Sequence, residues 1–375
     1  RDGAAEVAVN SGDEVTADIQ YRSEPGHVIS GVVAGTRTDT GTPSYGASVT
    51  IVDLRTGSEL AGASATSFNK FVFSIYGVPD GEYELYANQG SAAGDNLMSP
   101  PMQVKVQGHD VTGVTLAVAP LAMIEGRVVL QSDPKAPCGK RRESAMLESM
   151  IVAQRYEPDD KSAGRQSQPA QTIDVPSRFR NSIGQSTLDG KGSFIIRNLQ
   201  AGTFRIDSRE PAPGWFARSI TFDRPKPTLN IPRDGLTVKG GERVSGLVVT
   251  IAEGAARLQG RISVAAGQTL PLNLRVYLTP SERESADNTL RFYETRPVAN
   301  GSFTVENIAP GRYWILARPY EETDAGTIKA IRLDRTFRTK VQREAETLKK
   351  ELALKPCEQA ANYDLPFGPV AAAPE

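Results

Sequence analysis

A segment of eleven residues recurs three times along the chain, and this repeat constrains the fold more than any other feature of the sequence. The copies occupy residues 73–83, 194–204 and 303–313 and share the pattern F-x-[IV]-x-[GN]-[VLI]-x-x-G-x-[YF]. Recurrence of one pattern indicates a structural unit that is built several times. The aligned positions are Phe73, Phe194 and Phe303, then Gly81, Gly202 and Gly311, and finally Tyr83, Phe204 and Tyr313.

The residue types of this repeat predict a pair of strands joined by a turn. The Phe and the residue two positions later are typical of a strand whose alternate side chains enter a core. The Gly predicts a tight turn with a positive φ, and the aromatic residue after it opens the next strand. A Gly turn precedes the second and third copies, at 189–193 and 300–302, whereas the first copy has Asn69-Lys70 and should turn differently.

A second block recurs at residues 7–33, 104–129 and 236–262. Each copy predicts a short strand, a Gly turn, an alternating last strand, and then the first strand of the following unit. A variant at Leu348–Leu354 predicts the last strand of the third unit. Units of about 100 residues with many short strands and frequent turns favour antiparallel β-sandwiches.

The two blocks together divide the chain into predicted domains. The complete sandwiches are expected at 26–120, 121–252 and 253–356. Residues 1–25 match the last strands of an upstream sandwich, or a strand exchanged with a neighbouring subunit, in which case Val7–Val9 and Val15–Tyr21 would pair in trans. Residues 357–375 are predicted to form a C-terminal tail.

Two segments do not follow the strand pattern. Residues 131–190 form a long, charged insertion in the second sandwich, and Arg142–Arg155 within it has the spacing of a short helix. Residues 335–347 in the third sandwich have helical spacing at Phe337, Val341 and Ala345. Both helices are expected to pack against a face of their sandwich. The predicted fold class is therefore all-β, with tandem sandwiches and short helices in the insertions.

Motifs around the repeats resemble those of one known family. The first unit has Gly41-Thr42-Pro43, then Tyr45–Ile51 with a G-A-x-V pattern, and the third has G-S-F at 301–303 before its copy of the repeat. These features resemble the carboxypeptidase regulatory-like domain, a transthyretin-like (prealbumin-like) β-sandwich also described as Ig-like. The resemblance covers most of residues 26–356, although the second unit lacks a clear G-A-x-V turn.

This resemblance implies a fold more strongly than a function. Tandem copies of such domains look like the spacers, stalks and adhesion modules of large secreted or envelope proteins of bacteria. The family is named for a domain that lies beside zinc carboxypeptidases. No H-x-x-E zinc motif occurs in this sequence, so the peptidase activity is not implied.

Composition and missing motifs argue against several function classes. Lys and Arg number 43 against 44 Asp and Glu, which argues against a nucleic-acid binder that works by neutralising phosphates. The chain has two histidines, His27 and His109, too few with two cysteines for a zinc site of several ligands. A G-x-S-x-G elbow, a Walker loop and a G-x-G-x-x-G fingerprint are absent. We therefore predict no catalytic, cofactor-binding or metal-binding residue and no enzymatic activity.

Other sequence features bear on compartment and calcium. No run of ~18 apolar residues indicates a transmembrane helix. The start at Arg1 lacks a charged region followed by an apolar one, so the sequence is interpreted as a processed chain or a fragment. The acidic cluster Glu157–Asp160 has carboxylates that suit calcium but lacks the D-x-D-x-D-G spacing, which favours a solvated loop.

Cys138 and Cys357 each follow a proline, in loop-like surroundings, and either form one disulfide or remain two reduced thiols. Trp215, in Pro213-Gly214-Trp215-Phe216, is the best candidate for a ring that stacks on a sugar or contacts a partner. Packing in the core or between domains is the alternative that we favour for Trp215.

These observations predict a non-enzymatic structural protein outside the cytoplasm: extracellular, on the cell surface, or periplasmic. It would be a subunit of a surface assembly, a filament or an envelope complex, with protein partners and self-assembly through sandwich contacts. The short links Ala119-Pro120 and Glu253-Gly254 predict an ordered array rather than freely tumbling domains. The alternative is a glycan- or ligand-binding adhesion module that uses the insertion and Trp215.

Overall fold

The structure is a computed structural model, and it describes residues 11–12, 14–16, 26–36, 46–90, 95–132, 138, 148–156, 183–209, 212–224, 229–265, 267, 269–271, 273–319 and 335–367. Within these ranges the chain forms six β-sheets. The sheets enclose three separate cores that follow one another along the sequence. The predicted all-β fold class of tandem sandwiches is confirmed.

The first sandwich has sheets of order β4-β1-β8 and β3-β2-β5-β6-β9, and β7 also pairs with β5. Its core lies between Ile29 and Val118 in the sequence. The strands are β1 His27–Ala34, β2 Ala47–Asp53, β3 Glu59–Ala65, β4 Val72–Val78, β5 Gly81–Gln89, β6 Leu97–Met98, β7 Met102–Val106, β8 Val111–Ala117 and β9 Ala119–Pro120, with a 3₁₀ turn at Ser67–Asn69.

The second sandwich has sheets of order β13-β10-β17-β15 and β12-β11-β14-β16. Its core runs from Ala122 to Ile251 and also takes in Leu290, which comes from further along the chain. The elements are β10 Ala122–Gln131, β11 Met150–Tyr156, β12 Ile183–Thr187, β13 Ser193–Leu199, β14 Gly202–Arg209, β15 Trp215–Phe222, the short helix α1 Ile231–Asp234, β16 Leu236–Val238 and β17 Arg243–Glu253.

The third sandwich has sheets of order β21-β18-β24 and β20-β19-β22-β23. Its core lies between Ala256 and Leu365. The elements are β18 Ala256–Val264, β19 Leu274–Pro280, 3₁₀ turns at Arg283–Ser285 and Thr289–Arg291, β20 Tyr293–Thr295, β21 Ser302–Ile308, β22 Gly311–Pro319, helix α2 Arg335–Leu348, β23 Glu351–Leu354 and β24 Gln359–Phe367.

One strand pair in each sandwich departs from the antiparallel rule. The first strand pairs parallel with the last one in all three: β1 with β8, β10 with β17, and β18 with β24. Parallel neighbours need a long connection, and here the rest of each sandwich supplies it. The first and last strands of every sandwich consequently lie side by side. The last strand is an edge strand in the first and third sandwiches and an inner strand in the second.

Helix α2 lies where the spacing of residues 335–347 predicted a helix. Its buried residues Val341 and Ala345 form a small core with Tyr277 of β19 and Leu316 of β22. The helix therefore covers the outer face of the β20-β19-β22-β23 sheet. The Arg318 guanidinium lies 5.1 Å from the centre of the Phe337 ring, within the range of a cation–π contact.

The predicted helix at Arg142–Arg155 is wrong over its described part, because residues 150–156 form β11. Ile151 and Ala153 alternate into the second core, and β11 pairs with both β12 and β14. Two flanking strands satisfy the backbone of this segment, and such tertiary pairing outweighs a weak helical spacing. The insertion at 131–190 therefore contributes two strands to the sandwich itself.

The predicted C-terminal tail is also wrong over residues 359–367. These residues form β24, the last strand of the third sandwich, with Leu365 in the core. The sequence predicts Leu348–Leu354 as that last strand, but its strand portion, β23, pairs with β22 in the other sheet. The polar composition of Gln359-Ala360-Ala361-Asn362 hid the pattern, because an edge strand has one solvated side.

Several predictions concern residues outside the described ranges. They include Val7–Val9, residues 17–21, the turn at Gly41–Pro43, the acidic cluster Glu157–Asp160, and residues 368–375. Among the helices that the structure describes, none combines the length and the apolar character needed to span a membrane.

Candidate functional site at the sandwich junctions

The fifth position of the eleven-residue repeat has a left-handed backbone in all three copies. Gly77 has φ +72°, Asn198 has φ +61° and Asn307 has φ +55°. Asn is one of the few residues with a side chain that tolerates this conformation, whereas Gly adopts it freely. The residue is the next to last of the first strand of each repeat, and in the second and third sandwiches it contacts the preceding sandwich.

At the first junction, Asn198 of the second sandwich contacts a loop of the first. The backbone N–H of Asn96 donates to Asn198 Oδ1 at 2.9 Å. The carbonyl of the same loop residue accepts from the N–H of Leu121 at 3.2 Å. Both backbone groups of Asn96 are thus held by the downstream sandwich.

The second junction repeats this arrangement with different residues. The backbone N–H of Gly214 donates to Asn307 Oδ1 at 3.0 Å. The carbonyl of Gly214 accepts from the N–H of Ala255 at 3.0 Å. Gly214 directly precedes β15 and Asn96 directly precedes β6, so each lies just after the second strand of its repeat, although β15 and β6 belong to different sheets of their sandwiches.

We call this pair of hydrogen bonds the Asn clamp. A hydrogen bond of this kind contributes about 0.5–1.5 kcal/mol net, so a clamp contributes about 1–3 kcal/mol to docking. The energy is modest, but the two bonds use both backbone groups of one residue: its N–H donates and its carbonyl accepts. They therefore restrict how neighbouring sandwiches dock, and the same pair of hydrogen bonds occurs at both junctions.

Further contacts reinforce the first junction. Arg197, beside the clamp asparagine, forms an ion pair with Asp95. The side chain of Gln200 donates to the sulfur of Met98 at 3.2 Å. The ion pair is partly exposed to solvent, and such pairs contribute little to stability. The contacts described at the first junction are all polar.

The second junction is more extensive and includes apolar packing. Leu290 lies in the third sandwich by sequence, yet it is 3% exposed and belongs to the core of the second. Beside it, the Thr289 hydroxyl donates to the carbonyl of Pro232 at 2.9 Å. A shared core residue couples the folding of the two sandwiches more tightly than hydrogen bonds at a surface do.

A disulfide also spans this junction. Cys138, after the first strand of the second sandwich, is bonded to Cys357, between the last two strands of the third. Their Cα atoms are 4.9 Å apart, although 219 positions separate them in the sequence. The Cys357 N–H also donates to the carbonyl of Gly254 in the link between the two sandwiches, at 2.9 Å. The bond therefore closes the junction covalently.

The predicted repeat residues lie in the cores. Phe73, Phe194 and Phe303 are each buried in their own sandwich. The Tyr83 hydroxyl donates to the carbonyl of Pro79 at 2.8 Å, and the Tyr313 hydroxyl donates to the carbonyl of Ala309 at 2.6 Å.

Burial raises the pKa of both phenols, that of Tyr313 far above its ordinary value. Both hydroxyls consequently remain donors at neutral pH. Phe204, the third member of the set, is buried but has no hydroxyl to donate.

The glycines of the repeat do not all have the role that the sequence predicts. Gly81 does not have a positive φ, whereas Gly77, four residues earlier, does. A Cβ on Gly81 would lie 2.9 Å from the Tyr83 hydroxyl, and one on Gly202 would lie 2.9 Å from Nε of Arg155. A Cβ on Gly311 would collide with the Arg291 guanidinium. Glycine at this position therefore makes room for a neighbouring side chain.

Trp215 is not an exposed platform for a sugar or a partner. It is 5% exposed and belongs to the core of the second sandwich. Trp215 opens β15, which pairs with β17, so its ring points into the sandwich. This position agrees with the core-packing alternative, and it removes the residue on which the predicted glycan site depended.

The two histidines have different partners. His27 lies near two carboxylates, with its Nε2 3.3 Å from Asp80 and its Nδ1 3.8 Å from Asp110. His109 contacts the carbonyl of Gln107. Within the described ranges, no cluster of three or more His, Cys, Asp or Glu side chains is placed to hold a metal ion.

The sequence analysis missed the junction role of Asn198 and Asn307. A signal was present, because the fifth position of the repeat alternates between Gly and Asn, the two residues most common in left-handed backbone. Two copies have Asn where Gly would be less strained, which indicates that the amide side chain is used. The partner residues Asn96 and Gly214 have no shared pattern, since they contribute only backbone groups.

No family model matches this sequence, and no curated protein matches it. The resemblance to the carboxypeptidase regulatory-like domain thus has no support from a family model.

Matches among solved structures include the TIE protein of Bacillus anthracis, at 11% identity and a TM-score of 0.21 over 92% of this chain and 51% of that one. The chain thus spans about half the length of the TIE protein. A streptococcal ancillary pilin matches at 10% identity and a TM-score of 0.19, over 92% of this chain and 99% of that chain. A putative polysaccharide-binding protein of Bacteroides thetaiotaomicron matches at 10% identity and a TM-score of 0.24, over 49% of this chain and 76% of that chain. None of these similarities assigns this chain to a family.

Proposed function

We propose that the chain is a non-enzymatic structural protein of the cell surface or envelope, in which three sandwiches at fixed angles act as a stiff spacer within a larger assembly. The domain boundaries belong to this proposal, with the third sandwich extended to residue 367. The Asn clamp is the observation that carries it. A clamp that recurs with the same geometry at both junctions serves to hold orientation, which a chain of independently acting domains would not need.

The disulfide supports a location outside the cytoplasm. Disulfides persist in oxidising compartments and are rare where thiol reductants are abundant. Cys138 and Cys357 join two sandwiches rather than two strands of one core. The bond therefore favours a protein that must keep its shape under mechanical load, when a non-covalent junction would open.

Immunogold electron microscopy of intact producing cells tests this function. We expect antibodies against the first sandwich to label the cell exterior or the periplasm, in ordered arrays or along a regular structure. Non-reducing electrophoresis of the native protein should show the Cys138–Cys357 bond, which disappears in a Cys138→Ser variant. Cytoplasmic labelling, or a native protein with two free thiols, would contradict the proposal.

A further inference from the structure

The outer face of the β4-β1-β8 sheet has an unusual composition. Its cross-strand rows are Ser74 opposite Ser30, and Val72 opposite Val32 opposite Thr115. None of these side chains carries a charge. Val72 is 46% exposed, and Thr115 also faces solvent.

The equivalent rows of the second sandwich are charged. Glu125 lies opposite Ile195, in the place of Ser30 opposite Ser74. Arg127 lies opposite Ser193, in the place of Val32 opposite Val72. Glu125 also accepts a hydrogen bond from Nε of Arg243 on the neighbouring strand, at 2.9 Å.

The third sandwich repeats the charged arrangement. Arg261 lies between Ser302 and Asp364, again at the position of Val32. Arg257 on the same strand forms an ion pair with Glu306 at 3.2 Å. Two sandwiches of the same construction thus place charges on this face, and the first does not.

Exposed aromatic side chains accompany the uncharged rows. Tyr76 follows Ser74 on the same face of β4 and is 74% exposed. The matching positions of the other repeats are Arg197 and Glu306, which form ion pairs. Phe68, in the 3₁₀ turn before β4, is 98% exposed. Tyr76 and Val72 thus give this face two neighbouring exposed apolar side chains, and contiguous apolar surface rimmed by polar residues marks a binding surface.

We propose that this neutral face, formed by Ser30, Val32, Val72, Ser74, Tyr76 and Thr115, binds an uncharged polysaccharide. The Tyr76 ring offers a flat apolar surface for a sugar ring, and its hydroxyl stays in water. The hydroxyls of Ser30, Ser74 and Thr115 can donate to and accept from sugar hydroxyls. An uncharged ligand needs no charged partner on the protein, and the cross-strand rows of this face have no charged side chain.

The size of the face favours a polysaccharide over a second copy of the chain. Three strands about 4.8 Å apart and seven or eight residues long give an area of roughly 350 Å². A stable protein interface covers about 800 Å² on each partner. The face is therefore too small to hold another copy stably, whereas an extended sugar chain can lie along it.

Affinity electrophoresis in native gels tests the proposal with defined probes: the neutral polysaccharides dextran, mannan and laminarin, and the anionic polysaccharide alginate. We expect at least one neutral polysaccharide to retard the wild-type chain, and alginate to have no effect. Tyr76→Ala should weaken the retardation about tenfold in polysaccharide concentration, because it removes the stacking ring. Val32→Arg should abolish it, and this variant should fold because Arg127 and Arg261 occupy the same register in the other sandwiches.

Thr304→Ala is the matched control, because Thr304 occupies the position of Ser74 in the third sandwich. It should leave retardation unchanged. Four results would overturn the proposal: no retardation by any neutral probe, retardation by alginate alone, equal retardation of Val32→Arg and wild type, or self-association in sedimentation velocity that Val32→Arg abolishes. The last result would assign the face to a second copy of the chain.

Discussion

Replacement of Asn307 by Gly tests the Asn clamp at the junction where it is more buried. Gly keeps the left-handed backbone of residue 307 and removes the acceptor for the Gly214 N–H. The expected cost is about 1–3 kcal/mol, because a partly buried donor loses its partner. An opening equilibrium between the second and third sandwiches should shift by roughly 5- to 150-fold, at about 1.4 kcal/mol per factor of ten. Asn307→Ala should cost about 1–2 kcal/mol more, because Ala is strained at φ +55°.

Urea unfolding measures this effect in a Cys138→Ser/Cys357→Ser background, where the disulfide cannot mask it. The two tryptophans report separately, since Trp215 lies in the second sandwich and Trp314 in the third. We expect Asn307→Gly to separate two transitions that coincide in the parent. Gly77→Asn is the matched control, because Gly77 is the equivalent residue in the first repeat and its Cβ would meet no atom within 4 Å. A change below about 0.5 kcal/mol for Asn307→Gly would refute the clamp, since surface substitutions commonly have effects of that size.

Three further predictions concern individual contacts. Leu290 belongs to the third sandwich by sequence, yet Leu290→Ala should destabilise the second sandwich by about 2–5 kcal/mol, because a buried Leu is truncated. An unchanged unfolding transition of Trp215 would contradict this. Tyr313→Phe should cost about 0.5–1.5 kcal/mol in urea unfolding, because its hydroxyl no longer donates to the carbonyl of Ala309; an unfolding midpoint equal to that of the wild type would contradict this. Hydrogen bonds from the N–H groups of Ser193 and Lys191 lower the pKa of Asp189, so its contribution to stability is present above about pH 4 and disappears as the pH falls through the folded-state value. An acid unfolding profile unchanged by Asp189→Ala would count against it.

The sequence predicted what repeats and alternation determine directly. Residue patterns within short segments were enough to predict the all-β class, helix α2, and the burial of Phe73, Phe194 and Phe303. The helix at 335–347 was predictable because Phe337, Val341 and Ala345 recur at the helical period and pack together on one sheet.

What escaped prediction depends on partners that are distant in sequence. β11 and β24 have weak patterns of their own and become strands because β14 and β18 pair with them. The junction contacts of Asn198 and Asn307 use backbone groups about 100 positions away, and a backbone group leaves no mark on the sequence. Burial of Trp215 depends on which face of β15 meets the core, and one ring in a loop-like context cannot specify that.

The central claim is that the sandwiches hold fixed angles, and a distance measurement across the whole array tests it most directly. Spin labels at Thr56→Cys in the first sandwich and Glu346→Cys in the third lie on exposed residues, and the native cysteines are tied up in their disulfide. Double electron–electron resonance between the labels should give one narrow distance distribution, which broadens in the Asn198→Gly variant because the first junction has no disulfide. A broad distribution in the wild-type chain, equal to that of the variant, would show that the sandwiches move independently and would contradict the account.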